Sequence, residues 1–231
     1  QNHFVNGTVI DRVDVSGMTI EELSHQIQDY MLQITERKSD GGTLDEDIQG
    51  STIGLSYSST EPLEQILKNQ NVWEWFLRHD QAALTKAIEN LKDFDKDVAA
   101  APRDAYISDY VEGTGFSIVP ETQRNQLKKE QTIEAIRAAV ESLHEKINLD
   151  EEGCYEEPQV TADNEKLQAT LQKMQKYADL TITYTFGEQK EVLDGATVSS
   201  WLHVDGFELK LDTSQVENYV AALRKKYDTI F

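Results

Sequence analysis

The sequence predicts an α+β fold built from two related halves. Short segments with apolar residues at every second position, typical of strands, are mixed with longer segments that repeat apolar residues every three or four positions, typical of helices. They follow no regular strand–helix–strand order, which favours α+β over α/β. The order helix, strand, loop, strand and Gly-x-Thr-apolar occurs in residues 20–53 and again in residues 167–198. We therefore expect two diverged copies of one module, with chance similarity between short patterns as the alternative.

The first half begins with a strand and a capped helix. Apolar and polar residues alternate over residues 9–15, which predicts one strand, and Ser16-Gly17 predicts the turn after it. Thr19 and Glu22 have the spacing of a capping box, in which side chains satisfy free backbone amides where a helix begins. The expected apolar face of this helix consists of Ile20, Leu23, Ile27 and Tyr30 or Met31.

The remainder of the first half is predicted to alternate short strands with helices. Its expected elements are strands over residues 32–35 and around residue 48 that pair across Gly41-Gly42, a strand over residues 53–57, a helix behind Pro62, an aromatic segment at residues 73–76, and a helix carrying Leu84, Ile88 and Leu91.

Residues 93–103 are the predicted linker between the halves. They combine clustered acidic residues, small residues and Pro102 without sustained periodicity. We therefore place the first module at residues 1–98 and the second at residues 99–231.

The acidic residues of this linker have a second interpretation. Asp93, Asp95 and Asp97 imitate the first three ligands of a calcium loop, with Asp104 at the twelfth position. The sixth position is Val98, where such a loop needs Gly. An acidic linker is the expected role, and calcium binding is the alternative.

The second half is expected to begin with a hairpin over residues 102–120, turning at Gly113-Thr-Gly115. The elements expected after it are a helix with Ile133, Ile136, Val140 and Leu143, strands at residues 147–149 and 159–160, a helix with Leu167, Leu171, Met174 and Tyr177, a hairpin turning at Gly187-Glu188, a short helix or turn at Trp201, a strand over residues 207–211, and a final helix with Val216, Tyr219, Val220, Leu223 and Tyr227.

Charge excludes several classes of partner. The chain has 231 residues, with 22 Lys and Arg against 42 Asp and Glu, for a formal net charge of −20. Nucleic acid and anionic membrane both require a basic face, so neither is an expected partner. No apolar run is long enough to span a membrane. The chain opens at Gln1 without an initiator Met, and we expect it to be a piece of a longer protein.

The sequence offers little support for catalysis. Cys154 is the single cysteine and lies between acidic residues, which disfavour the thiolate that a nucleophile needs. No serine stands in a Gly-x-Ser-x-Gly elbow, and the five histidines have no metal-binding spacing. We therefore expect a non-enzyme without metal or cofactor, with an enzyme that uses Cys154 as the remote alternative.

Aromatic residues are the remaining candidates for binding chemistry. Six of them are able to stack on sugar rings or to fill the core, namely Trp73, Trp75, Tyr106, Tyr110, Tyr155 and Trp201. Glu121 and Asp109 are candidates for receiving the amine of a peptide, although a solvated carboxylate is the commoner role. The candidate ligand-binding residues are therefore Tyr106, Tyr110 and Glu121.

Several segments resemble the non-catalytic extracytoplasmic region of L,D-transpeptidases of the YkuD type, and VanW-like envelope proteins share the module. The similar segments keep their order along almost the whole chain. They are residues 4–19 (FVNGTVIDRVDVSGMT), 104–107 (DAYI), 115–121 (GFSIVPE), 154–158 (CYEEP), 182–187 (ITYTFG), 192–195 (VLDG), 201–202 (WL) and 226–229 (KYDT). The family's Gly after Pro-Glu is replaced by Arg124-Asn125, and the catalytic Ser-His-Gly-Cys motif is absent.

The resemblance implies a cell-wall-facing module that binds peptidoglycan and positions the catalytic domain of the same polypeptide. It implies a place outside the membrane of a Gram-positive-type bacterium, with the parent anchored by a transmembrane helix before residue 1. The first module would then be membrane-proximal, and a transpeptidase domain would follow Phe231. The alternative is a structural spacer or protein-partner scaffold of a VanW-like protein that has no ligand of its own.

Overall fold

Hairpins and helices alternate along the chain in a computed structural model that describes residues 3–59, 61–69 and 75–227, with the backbone alone at residues 63, 66 and 75. The predicted α+β class is confirmed, because the strands form small, mostly antiparallel sheets beside separate helices. The chain divides into two units, each made of two segments. The first unit is Gln1–Pro102 with Gln123–Glu157, and the second is Arg103–Thr122 with Pro158–Phe231.

The first unit contains most of the buried apolar side chains. Its helices are α1 (Ile20–Gln28), α2 (Leu63–Asn69), α3 (Gln81–Glu89) and α4 (Lys129–Glu141). Its strands are β1 (Val9–Ile10), β2 (Val13–Asp14), β3 (Met31–Arg37), β4 (Thr43–Gln49), β5 (Ser56–Ser59), β6 (Trp75–Arg78) and β9 (Lys146–Asn148). Short 3₁₀ helices occupy Gly50–Ile53 and Lys92–Phe94.

Local signals explain the centre of this unit. The capping box is confirmed, since the Thr19 hydroxyl accepts the Glu22 N–H and the Glu22 carboxylate accepts the Thr19 N–H. Strands β3 and β4 pair antiparallel across the predicted Gly-Gly loop. Strand β9 adds to β3 in parallel, with Ile34 opposite Ile147, and completes a three-stranded sheet in the order β4-β3-β9.

Two predicted strands of the first unit differ from the structure. Residues 9–15 form a small hairpin rather than one strand, because Asp11 and Arg12 have φ angles of 49° and 91° and reverse the chain between β1 and β2. Residues 53–57 do not form one strand either. Ile53 ends a 3₁₀ turn, Gly54 has a φ of 61°, and the strand begins only at Ser56.

The second unit consists of three hairpins and three helices within the residues that the structure describes. Its strands are β7 (Tyr106–Ile107), β8 (Ile118–Val119), β10 (Thr181–Phe186), β11 (Gln189–Asp194), β12 (Leu202–Asp205) and β13 (Glu208–Leu211). Its helices are α5 (Glu165–Ala178), α6 (Gly195–Ser199) and α7 (Thr213–Tyr227). The strand expected at residues 159–160 does not form, although the Val160 carbonyl accepts the Ala105 N–H.

The core of the second unit is small. Leu193, Val198 and Trp201 are buried together, and Tyr219 packs at the edge of this cluster with its ring 5.4 Å from that of Trp201. Helix α7 is present as predicted, but none of its described side chains is fully buried. The second unit therefore exposes more of its apolar surface than the first.

Residues 93–102 of the predicted linker belong to the first unit, and the second unit begins at Arg103. Asp93 is 4% exposed and lies in the 3₁₀ turn, where Tyr155 and Asn125 bind its carboxylate. The sequence division at residues 98 and 99 is contiguous, whereas the two units of the structure are interleaved. The reason is that α4 and β9, which follow the 103–122 hairpin, return to the sheet and helices of the first unit.

Both units contain the element order that the sequence repeats. In each, a helix is followed by a hairpin and then by a short helix beginning at glycine, Gly50 or Gly195. A Cβ at Gly50 would press on Tyr30 at 3.3 Å, and a Cβ at Gly195 would overlap the Ala178 carbonyl. Descent from two copies of one module remains a prediction.

No helix in the described part of the chain combines the length and the apolar character needed to cross a membrane.

Candidate functional site

A cleft of about 710 Å³ lies within the second unit. Residues 104–110, which include β7, line one part of it, and the other part is lined by Ser199, Ser200, Leu202, His203, Val204, Gly206 and Phe207, which lie on and beside β12. Leu167 and Met174 of α5 and Phe116 of the hairpin contribute buried apolar side chains. Its size and mixed lining are typical of a ligand-binding cleft.

Two of the three candidate ligand-binding residues line this cleft. Tyr106 is 44% exposed, and the Arg103 guanidinium lies over its ring at 5.5 Å from the centroid. Tyr110 packs edge-on against Phe116, with ring centroids 5.5 Å apart. Phe116 is buried, so it fixes the Tyr110 ring at the cleft. The hairpin thus presents two aromatic rings beside an apolar floor.

The third candidate, Glu121, is not among the residues that line the cleft. Its Oε2 accepts a hydrogen bond from the Ala162 N–H at 2.7 Å. Asp104 does line the cleft, but its Oδ1 already accepts the N–H groups of Gln159 and Val160 at 2.6 and 3.0 Å. Both carboxylates hold the segment after residue 158 against the hairpin.

Ser199 is the residue of the cleft with unsatisfied hydrogen-bonding capacity. It is 2% exposed, and its Oγ has no hydrogen-bond partner within the described residues. The adjacent Ser200 differs, because its Oγ donates to the Thr197 carbonyl at 2.7 Å. Buried hydroxyls normally have a partner, so an orphaned one at a cleft marks a place for a ligand's polar group.

The remaining aromatic candidates whose side chains the structure describes do not line the cleft. Tyr155 and Trp201 are buried in the first and second units. Trp73 lies outside the described residues, and so does the side chain of Trp75.

A buried acid cluster lies in the first unit, around Glu36, Glu46 and Asp93. Glu36 is 1% exposed, and its Oε2 accepts the Asp93 N–H at 2.9 Å. Asp93 accepts hydrogen bonds from the Asn125 amide and the Tyr155 hydroxyl, each at 2.7 Å. Glu46 Oε2 accepts a backbone N–H at 2.8 Å on the same 3₁₀ turn. The three carboxyl groups therefore hold the 92–94 turn to strands β3 and β4.

The cluster needs at least one proton. Burial, together with a hydrogen bond to Glu46 and the charges of Asp93 and Glu46, raises the pKa of Glu36 to about 9. The hydrogen bond with Glu36 lowers the pKa of Glu46 against the opposing effect of its burial. Burial also raises the pKa of Asp93, against the hydrogen bonds from Tyr155 and Asn125. The raised pKa favours a protonated Glu36 at neutral pH, and Glu36 Oε1, which has no donor among the described residues, is the oxygen that would share this proton with Glu46.

Arg37 packs beside this cluster and contacts it through Tyr155. Its guanidinium lies over the Tyr155 ring at 4.6 Å and forms ion pairs with Asp150 and with Glu157, the second at 3.0 Å. Its backbone N–H donates to the Tyr155 hydroxyl at 2.7 Å. The hydrogen bonds and ion pairs of Arg37, Tyr155 and Asp93 thus tie strand β3 to the 92–94 turn and to residues 150–157.

The geometry of the described residues supports neither calcium binding by the acidic segment nor catalysis by Cys154. The Asp93 carboxylate accepts hydrogen bonds from Asn125 and Tyr155, and Asp95 Oδ1 accepts the Asp97 N–H at 2.9 Å. Among residues 3–59, 61–69 and 75–227, no three His, Cys, Asp or Glu side chains are grouped so as to hold a metal ion. Cys154 is fully buried, and that burial raises the pKa of its thiol, which disfavours the nucleophilic thiolate.

Sequence reasoning identified the aromatic side of the cleft and missed the rest. Ser199 and His203 line it with Tyr106, but they follow Tyr106 by more than ninety residues. No spacing rule joins residues that far apart. The burial of Glu36 could have been predicted from the sequence. Side chains alternate between the two faces of a strand, and Glu36 lies on the same buried face of β3 as Leu32 and Ile34.

Comparison of the chain with protein-family models, with curated proteins and with solved structures found no match.

Proposed function

We propose that this chain is a non-catalytic module that faces the cell wall and binds peptidoglycan through the cleft of the second unit. The observation that carries the proposal is the cleft itself, with Tyr106 and Tyr110 beside an apolar floor and the orphaned Ser199 hydroxyl. Aromatic rings stack on the apolar faces of sugars, and a buried hydroxyl supplies a directional hydrogen bond. The choice of peptidoglycan comes from the resemblance to the wall-facing region of L,D-transpeptidases.

The proposed role is binding and positioning rather than chemistry. Cys154 is buried with a raised thiol pKa, and the sequence lacks the Ser-His-Gly-Cys motif of the transpeptidases. Binding the wall would hold a catalytic domain of the same polypeptide near its substrate and raise the local concentration of that substrate.

The test is co-sedimentation of the purified chain with isolated sacculi. We expect retention above that of an unrelated protein of similar negative charge, and weaker retention of Tyr106→Ala and Tyr110→Ala by roughly 2- to 12-fold each. Tyr177→Ala is the matched control, because Tyr177 is 43% exposed on α5 and does not line the cleft.

Two results would count against the proposal. Retention of the wild-type chain no better than the acidic control would remove wall binding and leave the spacer or scaffold role. Equal loss in the Tyr177 variant and the two cleft variants would show that the wall is bound elsewhere on the surface.

A further inference from the structure

We infer that the cleft of the second unit binds its ligand as an added β-strand, so that the part recognised is an extended peptide. The inference rests on the proposed function only in taking this cleft as the ligand site. Strand addition requires a free sheet edge, whose unpaired N–H and C=O groups form a ladder with the incoming chain. The cleft has one such edge on β12, and β7 adds one unpaired position at Ile107.

The free edge of β12 follows from its pairing with β13. Asp205 and Glu208 flank a two-residue turn in which Gly206 has a φ of 62°, so they form a hydrogen-bonded pair. Hydrogen-bonded pairs recur at every second position of an antiparallel ladder, so His203 and Trp201 should also bond to the β13 side. The Asp212 N–H indeed donates to the Trp201 carbonyl at 2.8 Å. The backbone groups of Leu202 and Val204 must therefore point away from β13.

Leu202 and Val204 both line the cleft. Neither has a hydrogen bond from its N–H to any other described residue outside the ladder. Their N–H and C=O groups are thus two donors and two acceptors, spaced two residues apart along one wall. This is the spacing at which an antiparallel strand pairs.

The unpaired position on β7 follows in the same way. The Ser108 N–H donates to the Ser117 carbonyl at 2.8 Å, which makes Ser108 and Tyr106 the residues that bond to the β8 side. The Ala105 N–H points to the other side, where it donates to the Val160 carbonyl at 2.8 Å. The backbone groups of Ile107 point to the same side as those of Ala105, Ile107 lines the cleft, and its N–H has no backbone partner outside the ladder among the described residues. The N–H and C=O groups of Ile107 are therefore the ones on that side of β7 that remain available to an added strand.

The lining sets the chemistry of the peptide. Side chains of an added strand alternate in direction, so every second one would face the buried Leu167, Met174 and Phe116 and should be apolar. The carboxylates that line the cleft are Asp104 and Asp109, which favour a peptide with positive charge. The ligand is therefore an extended, cationic peptide with apolar residues at alternate positions.

The experiment uses the ¹⁵N-labelled chain and the synthetic hexapeptide KVTVTK, followed by NMR. We expect saturable shifts of the amide signals of Ile107, Leu202 and Val204. Methylation of the peptide nitrogens that face an edge removes the donors and should weaken binding at least tenfold. An all-D peptide of the same sequence, which has the opposite strand twist, should bind at least tenfold more weakly.

A protein variant gives an independent test. Val204→Pro removes one edge N–H, and proline is tolerated where that group is outside the ladder. We expect a tenfold loss of peptide affinity with little change in thermal midpoint. Should this variant unfold, the N-methylated peptides still decide the matter without altering the protein.

The outcomes separate this inference from wall binding. Undiminished binding of the N-methylated and all-D peptides, or no binding of the hexapeptide, overturns strand addition even if sacculi retain the chain. Edge-specific peptide binding without retention on sacculi supports strand addition and removes the wall as the ligand's source.

Discussion

Replacement of Glu36 by Gln should stabilise the first unit at neutral and alkaline pH. Glu36 is buried, its Oε2 accepts the Asp93 N–H, and its Oε1 has no donor among the described residues, so the raised pKa of Glu36 is explained by a proton on Oε1 shared with Glu46. A Gln amide supplies the same donor and the same acceptor without needing a proton. Glu36→Gln should therefore keep the hydrogen bond from the Asp93 N–H, place an amide donor toward Glu46, and remove the contribution of Glu36 to the pH dependence of stability.

The magnitude follows from the pKa of Glu36, which is about 9 against an ordinary value of 4.5. Because the folded-state pKa is raised, the stabilisation is complete below pH 4.5 and is lost as the pH rises toward 9. Each pH unit in that window lowers the free energy of unfolding by about 1.4 kcal/mol. Glu46 shares the proton, and its lowered pKa acts in the opposite sense as pH falls. We expect a net difference on the order of 2 kcal/mol between pH 5 and 7.

The assay is urea unfolding at pH 5.5, 7 and 8.5, read by hydrogen exchange of peptides covering residues 31–49. These peptides report on the first unit alone. The wild-type protein should lose stability with rising pH, and Glu36→Gln should have a nearly flat profile. Glu151→Gln is the control, because Glu151 is an exposed glutamate of the same unit. Equal pH slopes for the wild type and Glu36→Gln would refute the reasoning.

Two further substitutions test the packing of each unit. Gly195→Ala places a Cβ on the Ala178 carbonyl and should destabilise the second unit by about 3 kcal/mol or more, whereas Gly187→Ala, at an open turn with positive φ, should cost about 1 kcal/mol in thermal unfolding; similar midpoints for the two variants would contradict the clash. Tyr155→Phe removes the hydroxyl that donates to Asp93 and should lower the free energy of unfolding in urea by about 1–3 kcal/mol. A loss below about 0.5 kcal/mol would mean that water replaces the hydroxyl.

The elements predicted correctly are those whose signals are local. The capping box at Thr19 fixes the start of α1 within four residues, and the turn at Gly187 fixes the β10–β11 hairpin. These structures depend on hydrogen bonds between near neighbours in sequence. A single sequence contains all the information that such bonds require.

The elements that sequence reasoning missed depend on distant partners. Asp93 was assigned to a linker because its neighbours are acidic and small, yet Tyr155, which binds it, lies 62 residues later. The pairing of Ile34 with Ile147 was equally hidden, since β9 is only three residues long. The cleft was half predicted, because Tyr106 has an aromatic signature whereas Ser199 is an ordinary serine after a short helix.

The interleaved order of the two units has a consequence for synthesis. Ile34 of β3 leaves the ribosome 113 residues before Ile147 of β9 (147 − 34), which at about 5–20 residues per second is an interval of roughly 6–23 s. During that time β3 lacks its parallel neighbour β9, and an open strand edge is a site where nascent chains associate. The formal charge of −20 opposes such association through mutual repulsion. The acidity of this chain thus protects it most while it is still being made.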